Sequence, residues 1–183
     1  MSPVFTVVVP VYNEAGFIPT ALPMLVAAVD DVGVPYRVLL IENGSTDSTA
    51  ETARRVATGP EIEVISIEEA DYGRAMREGF RLARSEWVVN FDIDYFSAGF
   101  LRAVLEQPDD VDIVIASKRD PGSDDRRPFI RRLATRVFNL LLRTILDSRV
   151  TDTHGMKGFR SDLVRNLEPD VISNQDLFDT ELV

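Results

Sequence analysis

The chain has 183 residues, 45% of them hydrophobic and 27% charged, with a formal net charge of -10. That balance describes a soluble globular protein long enough to bury one core, and its sign argues against general nucleic-acid binding. With no cysteine, disulfides and thiolate metal sites are excluded, which fits a reducing, cytoplasmic setting. The opening "MSPVFTVVVPVYNEAG" reads as neither a signal peptide nor a membrane span.

Strand-like and helix-like segments alternate from the start. "VFTVVVPV" (Val4 to Val11) reads as the first strand, followed by a helix from about Gly16 to Val32. "YRVLLIE" is the second strand, and Ser48 and Glu51 then stand at capping-box spacing at the start of a helix. "EIEVISI", "EWVVNFD" and "DIVIAS" are the third to fifth strands, separated by the helical stretches "RAMREGFRLARS" and "AGFLRAVLEQ". Apolar strands alternating with helices predict an α/β fold: a mostly parallel sheet covered on both faces.

After Ser117 the pattern changes. "DPGSDDRRP" is a polar loop, and a helix is expected over about Phe129 to Leu146, with Arg132, Arg136 and Arg143 clustered on one face. From Ser117 to Arg149 there are nine Lys or Arg and four Asp or Glu, a local net of +5 on an acidic protein. Such a segment is either a solvated helix face or an anion or membrane-surface site.

Ligands of open parallel sheets sit beyond the carboxyl ends of the strands, so the residues following each strand are the candidates. After the first strand come Pro10, Tyr12, Asn13 and Glu14, where Asn13 either caps the helix or touches a ligand. After the second come Glu42, Asn43, Gly44, Ser45 and Asp47, suited to a turn and cap or to hydrogen bonding a nucleoside. After the third, Arg74 and Arg77 are candidates for phosphate contact.

The fourth strand ends in "FDID". Strand alternation puts Asp92 and Asp94 on one side and Ile93 on the other, with Cα atoms about 6.6 Å apart if the strand continues. At that separation two unit charges repel by ~2.5 kcal/mol at an effective dielectric of 20 and ~0.6 kcal/mol in water. Either the pair is well solvated or a cation compensates it, and a hard divalent ion is suited to carboxylate oxygens and substrate phosphates. Asp110 and Asp112 repeat the spacing, but they begin a strand and so lie on the opposite edge.

In this order "VVVPVYNEAGFI", "IENGSTDST", "FDID" and "RRLATRVFNLLLRTIL" followed by "VTDTHGMKGFR" resemble a family 2 glycosyltransferase with the GT-A fold. The likeness is to the branch that loads sugars onto polyprenyl or dolichyl phosphate, and it runs from about Val4 to the end. It implies a three-layer sandwich in one domain over 1–183. Residues 1–117 would form the nucleotide-sugar-binding half and 118–183 the acceptor-side half. The chain differs from the family's pattern in three places: Glu42-Asn43 stands for two aspartates, Asp71 for a glycine, and Phe96 for a glutamine that some relatives use as an extra metal ligand. Relatives continue past "FDTELV", so the acceptor-side half is expected to be short.

The resemblance further implies inverting transfer of a sugar from a UDP- or GDP-sugar. Asp92 and Asp94 would hold Mg2+ or Mn2+ on the diphosphate. Pro10, Tyr12, Asn13, Glu14, Glu42, Asn43, Ser45 and Arg74 would meet the nucleotide sugar. A hydroxyl acceptor needs a base, for which Asp179 and Glu181 are the candidates. A lipid phosphate needs positive charge instead, for which Lys118, Arg119, Arg131, Arg132 and Arg136 are the candidates. The basic segment favours a polyprenyl-phosphate acceptor, with the arginine-striped helix peripheral on the cytoplasmic membrane face. The alternatives are a hydroxyl acceptor or a non-catalytic nucleotide-sugar-binding domain. His154, the sole histidine, reads either as a loop residue near the acceptor or as a structural one, with Asp152 placed to orient that loop.

Overall fold

The computed structural model describes residues 2–116 and 155–167. In chain order they form β1 (Phe5–Val11), α1 (Ile18–Asp30), β2 (Tyr36–Asn43), α2 (Thr49–Val56), β3 (Ile62–Ile67) and α3 (Tyr72–Leu82). There follow β4 (Trp87–Asn90), α4 (Ala98–Leu105), β5 (Ile113–Ile115), β6 (Lys157–Arg160) and α5 (Ser161–Leu167). The strands make one sheet in the order β3-β2-β1-β4-β6-β5. β1 pairs in parallel with both β2 and β4, and β2 with β3. β6 runs antiparallel between β4 and β5.

The central strands are buried on both faces, as their apolar runs require. In β1 every residue is buried except the half-buried Pro10. Phe5, Val7, Val9 and Val11 point to one face, where Ile18, Leu22 and Leu25 of α1 and Leu101 and Val104 of α4 pack on them. Val8 points to the other face and meets a second cluster with Leu39, Ile41, Ala75, Met76, Phe80 and Phe159. Fully burying each Val, Leu or Ile contributes roughly 1.5–3 kcal/mol, so the two layers are the principal stabilising term.

Two glycines set close approaches. A Cβ on Gly79 would lie 2.3 Å from Val8 Cγ1, so α3 rests on β1 only because position 79 lacks one. Gly44 has φ +64 at the end of β2, and a Cβ there would lie 2.7 Å from the Ala70 nitrogen. Only glycine accommodates both demands without strain.

The structure corrects several expectations. β4 stops at Asn90, because Asp92 to Tyr95 turns back on itself with the Tyr95 amide donating to the Asp92 carbonyl at 3.0 Å. The extended-strand spacing of the acid pair therefore does not apply. Within the turn Asp92 and Asp94 are exposed and Ile93 is buried. The Ser48–Glu51 capping box does not form, since the Ser48 side chain makes no capping bond. Asp47 does that work, accepting from the Thr49 amide at 2.9 Å. Asn13 does not cap α1, whose N-cap residue is Phe17, with no side-chain capping bond. α3 begins at Tyr72, not Arg74, because Asp71 caps it by accepting from the Arg74 amide at 2.9 Å. β6 is a strand that sequence patterning did not predict.

Candidate active site

From β1 the chain crosses to β2 and β3 on one side, then returns to β4 on the other. The connections diverge between β1 and β4, and parallel sheets receive ligands beyond the carboxyl ends of the strands at such a switch point. A cleft of about 270 Å3 opens there, lined by Pro10, Val11, Tyr12, Glu14, Asn43, Tyr72, Asp92, Ile93 and Asp94. Its floor comes from the ends of β1 and β2, and its acidic rim from the turn after β4.

The loop after β1 is braced against the loop after β2. Asn13 has φ 56, a left-handed conformation that asparagine tolerates better than most residues. Its side-chain oxygen accepts from the Thr46 amide at 2.9 Å, and its own amide donates to the Ser45 hydroxyl at 3.0 Å. The Glu14 amide donates to the Thr49 hydroxyl at 2.7 Å, and the Ala15 amide to Asp47 at 3.3 Å. The Thr49 hydroxyl, followed by backbone amides, holds the Asp47 carboxyl below its ordinary value near 3.8, against a smaller opposing effect of burial. Tyr12, next in sequence to this network, is 45% exposed at the cleft.

β2 ends in two buried polar residues on opposite faces. Glu42 accepts from the Ser45 amide at 2.6 Å, which closes the turn through Gly44. Asn43 accepts from the Asp71 amide at 2.7 Å, tying the end of β2 to the cap of α3. On that same face the Asn90 amide donates to the Tyr72 hydroxyl and to the Met76 sulfur, each at 3.2 Å.

Of the residues expected at the nucleotide-sugar site, Pro10, Tyr12, Glu14, Asn43, Asp92 and Asp94 converge on the cleft. Asn13, Glu42 and Ser45 stand behind it as braces. Arg74 is exposed on α3, outside the lining. Lys118, Arg119, Arg131, Arg132, Arg136, Asp152, His154, Asp179, Glu181 and the helix expected over 129–146 lie outside the described residues. Sequence reasoning missed Val11, Ile93 and Tyr72 as lining residues. The signal for Tyr72 was Asp71 before it, an N-cap that sets the start of α3 against the sheet edge. It also missed Lys157, fully buried on β6 opposite Asn90.

A larger hollow, about 670 Å3, opens at the other end of the strands beside Arg84, Glu86, Asp112 and Arg160. Arg160 pairs there with Glu86 and Asp109, and Arg165 with Asp162. It is a surface ion-pair network on the edge away from the switch point.

The rim suits a hard divalent cation. Asp92 and Asp94 present carboxylates at one mouth of the cleft, and Glu14 lines the same space. Among the described residues no group of three or more His, Cys, Asp or Glu side chains is arranged to hold a metal. Two carboxylates leave coordination positions for water and phosphate oxygens, which is how Mg2+ is commonly held in phosphate-handling sites.

Fold and site together define an α/β domain with an acidic pair beside a cleft at its switch point. The chain belongs to glycosyl transferase family 2, whose model matches residues 6–168. It is 28% identical over 165 residues to the undecaprenyl-phosphate 4-deoxy-4-formamido-L-arabinose transferase of Edwardsiella ictaluri, covering 87% of this chain and 50% of that protein. The Pectobacterium carotovorum protein of the same name is 27% identical over 155 residues, covering 80% and 45%. The chain thus spans about half the length of the curated relatives it matches.

Two solved structures share the fold. The mannosyltransferase PcManGT from Pyrobaculum calidifontis, in complex with GDP-Man and Mn2+, superposes with a TM-score of 0.64 at 23% identity, covering 100% of this chain and 52% of that one. Glucosyl-3-phosphoglycerate synthase from Mycobacterium tuberculosis, in complex with Mn2+, UDP and phosphoglyceric acid, gives 0.64 at 19% identity, covering 88% and 57%. The fold is that of the GT-A glycosyltransferases, as the order of motifs implied. Among the described residues no helix is long and apolar enough to cross a membrane.

Proposed function

We propose that this chain is the donor-binding domain of a metal-dependent, inverting glycosyltransferase that moves a sugar from a UDP- or GDP-sugar to a polyprenyl phosphate. The observation that carries the reading is the meeting of Asp92 and Asp94 with Pro10, Tyr12, Glu14 and Asn43 around one cleft at the sheet's switch point. Supporting the donor class are the two structural neighbours, one with GDP-Man and Mn2+ and one with UDP and Mn2+. The polyprenyl acceptor is supported by the names of the relatives, which are undecaprenyl-phosphate transferases, and by the basic segment between Ser117 and Arg149.

The residues divide the work. Asp92 and Asp94 would hold Mg2+ or Mn2+ at the donor diphosphate, where the ion would supply positive charge to offset the negative charge developing on the leaving nucleoside diphosphate. Tyr12 offers a flat ring to the nucleoside, and the Asn13–Ser45–Thr46 bracing fixes where that ring sits. A phosphate monoester acceptor is largely dianionic at pH 7. It needs no base, only positive charge to hold it, and Lys118, Arg119, Arg131, Arg132 and Arg136 are assigned that role.

The test is release of nucleoside diphosphate from a panel of UDP- and GDP-sugars, with polyprenyl phosphate and Mn2+ present. The reading expects release that needs both metal and lipid phosphate and that is lost in Asp94→Asn. Release with a hydroxyl acceptor, undiminished without lipid phosphate, would overturn the acceptor assignment.

A further inference from the structure

We propose that the outer face of α1 is a docking surface for a second copy of this chain, with the two α1 helices packed antiparallel about a two-fold axis. The face lies on the side of the sheet away from α3 and does not depend on the donor site.

α1 buries Ile18, Leu22, Leu25 and Val29 against the sheet. A surface helix ordinarily carries charged residues on its other side. In this chain 27% of residues are charged, yet none from Ala15 to Val29 is. Phe17, Thr20, Met24 and Ala27 are exposed at spacings of three, four and three, the stripe by which one helix packs on another. Phe17 is 43% and Met24 59% exposed, and with Tyr12 they are the large hydrophobic side chains exposed among the described residues. Helix α1 therefore presents a second apolar face with nothing in the described fold against it.

The order of side chains along the stripe selects the occupant. In an antiparallel pair centred on the stripe, Phe17 meets Ala27 of the partner subunit and Met24 meets Thr20 of the partner subunit. Each large side chain then faces a small one, as interdigitated packing requires. In a parallel pair Phe17 would face its own copy and Ala27 its own copy, crowding one level and leaving a gap at another.

Charge selects the same direction. α1 has no acidic residue in its first turn and no side-chain cap, while Asp30 and the C-cap Asp31 stand at the end where the helix dipole is negative. Antiparallel packing carries both carboxylates to the N-terminal end of the partner's α1, where the dipole is positive. Parallel packing would set them against each other. Glu14, just before α1, lines the cleft instead. The 13 residues of α1 span about 20 Å, so the contact is small and the dimer is expected to be weak.

Sedimentation velocity of the 183-residue chain from roughly 1 to 100 μM tests the proposal. The expected result is a monomer–dimer equilibrium, weakened by at least roughly 10-fold in Met24→Glu, which would bury a charge in the contact. Met24 is exposed, so thermal unfolding of that variant should stay close to wild type. Direction is read by disulfide trapping, since the chain has no native cysteine. Mild oxidation of a mixture of Phe17→Cys and Ala27→Cys is expected to give chiefly the mixed dimer. Chiefly Ala27→Cys homodimer would overturn the antiparallel geometry. A chain monomeric at every concentration, or a dimer that Met24→Glu leaves intact, would overturn the docking surface. Cosedimentation of a monomeric chain with phosphatidylcholine vesicles, lost in Met24→Glu, would assign the face to lipid and overturn the proposal as well.

Discussion

The side-chain oxygen of Asn13 sits 2.9 Å from the Thr46 backbone amide and accepts its hydrogen bond. That single contact joins the loop after β1 to the loop after β2, 33 residues later in sequence. With the Asn13 amide on the Ser45 hydroxyl, it holds a left-handed residue directly beside Tyr12.

Asn13→Ala removes the Thr46 bond and leaves a β-carbon at φ 56. The expected cost is about 1–2 kcal/mol in urea unfolding. Asn13→Gly is expected to recover the backbone part of that loss but not the hydrogen bond. Equal stability of the alanine and glycine variants would show that the conformation carries no strain.

Gly79 makes a second prediction. A Cβ there meets Val8 Cγ1 at 2.3 Å, and Val8 is fully buried in a rigid central strand. Gly79→Ala is expected to destabilise by roughly 1–3 kcal/mol despite alanine's better helix propensity. Val8→Ala in the same chain should relieve the clash, so the double variant should be more stable than the sum of the two single changes.

Arg160 ties three segments together near the start of β4. Its guanidinium lies 4.2 Å from the centre of the Trp87 ring, pairs with Glu86, and donates to the Val111 carbonyl at 3.2 Å. Its side chain is only 14% exposed, so these contacts are partly shielded from water. Arg160→Ala should cost about 2–3 kcal/mol. Lysine should recover little, because an ammonium can neither stack flat on the indole nor reach several acceptors with a planar fork.

Much of this architecture was legible from residue pattern, and the failures have physical causes. β1, β2 and β4 announced themselves as apolar runs buried on both faces, and β3 and β5, the partly exposed edge strands, as short segments rich in Ile and Val. β6 did not, because "KGFR" carries one large apolar side chain, Phe159, flanked by glycine and two cations. It is a strand because β4 and β5 offer it edges on both sides, a long-range fact with no local signature. Burial of Lys157 likewise defies residue preference. The acid pair was found by its place at a strand end, but its geometry was misjudged: the Asp92–Tyr95 turn replaces the extended strand. Asn43 was singled out by position, while the direction of its amide needed the Asp71 contact.

The Asp47 carboxylate supplies a pH dependence. Its folded value is held below the ordinary one near 3.8, chiefly by the Thr49 hydroxyl. A depressed carboxylate contributes stability above the unfolded value and loses it as pH falls through the folded one. The stability gap between wild type and Asp47→Asn should therefore narrow as pH drops from neutral to below 4. Urea midpoints across that range measure it, and a constant gap would remove Asp47 from the acid limb.

The most direct test of the metal-assisted donor site is diffraction from crystals of this chain soaked with Mn2+ and UDP or GDP, using the manganese anomalous signal. The account predicts one ion bound by Asp92 and Asp94, touching the diphosphate, and absent in Asp94→Asn. Nucleotide bound in the cleft with no anomalous peak beside either carboxylate, or a peak unchanged in the variant, would contradict it.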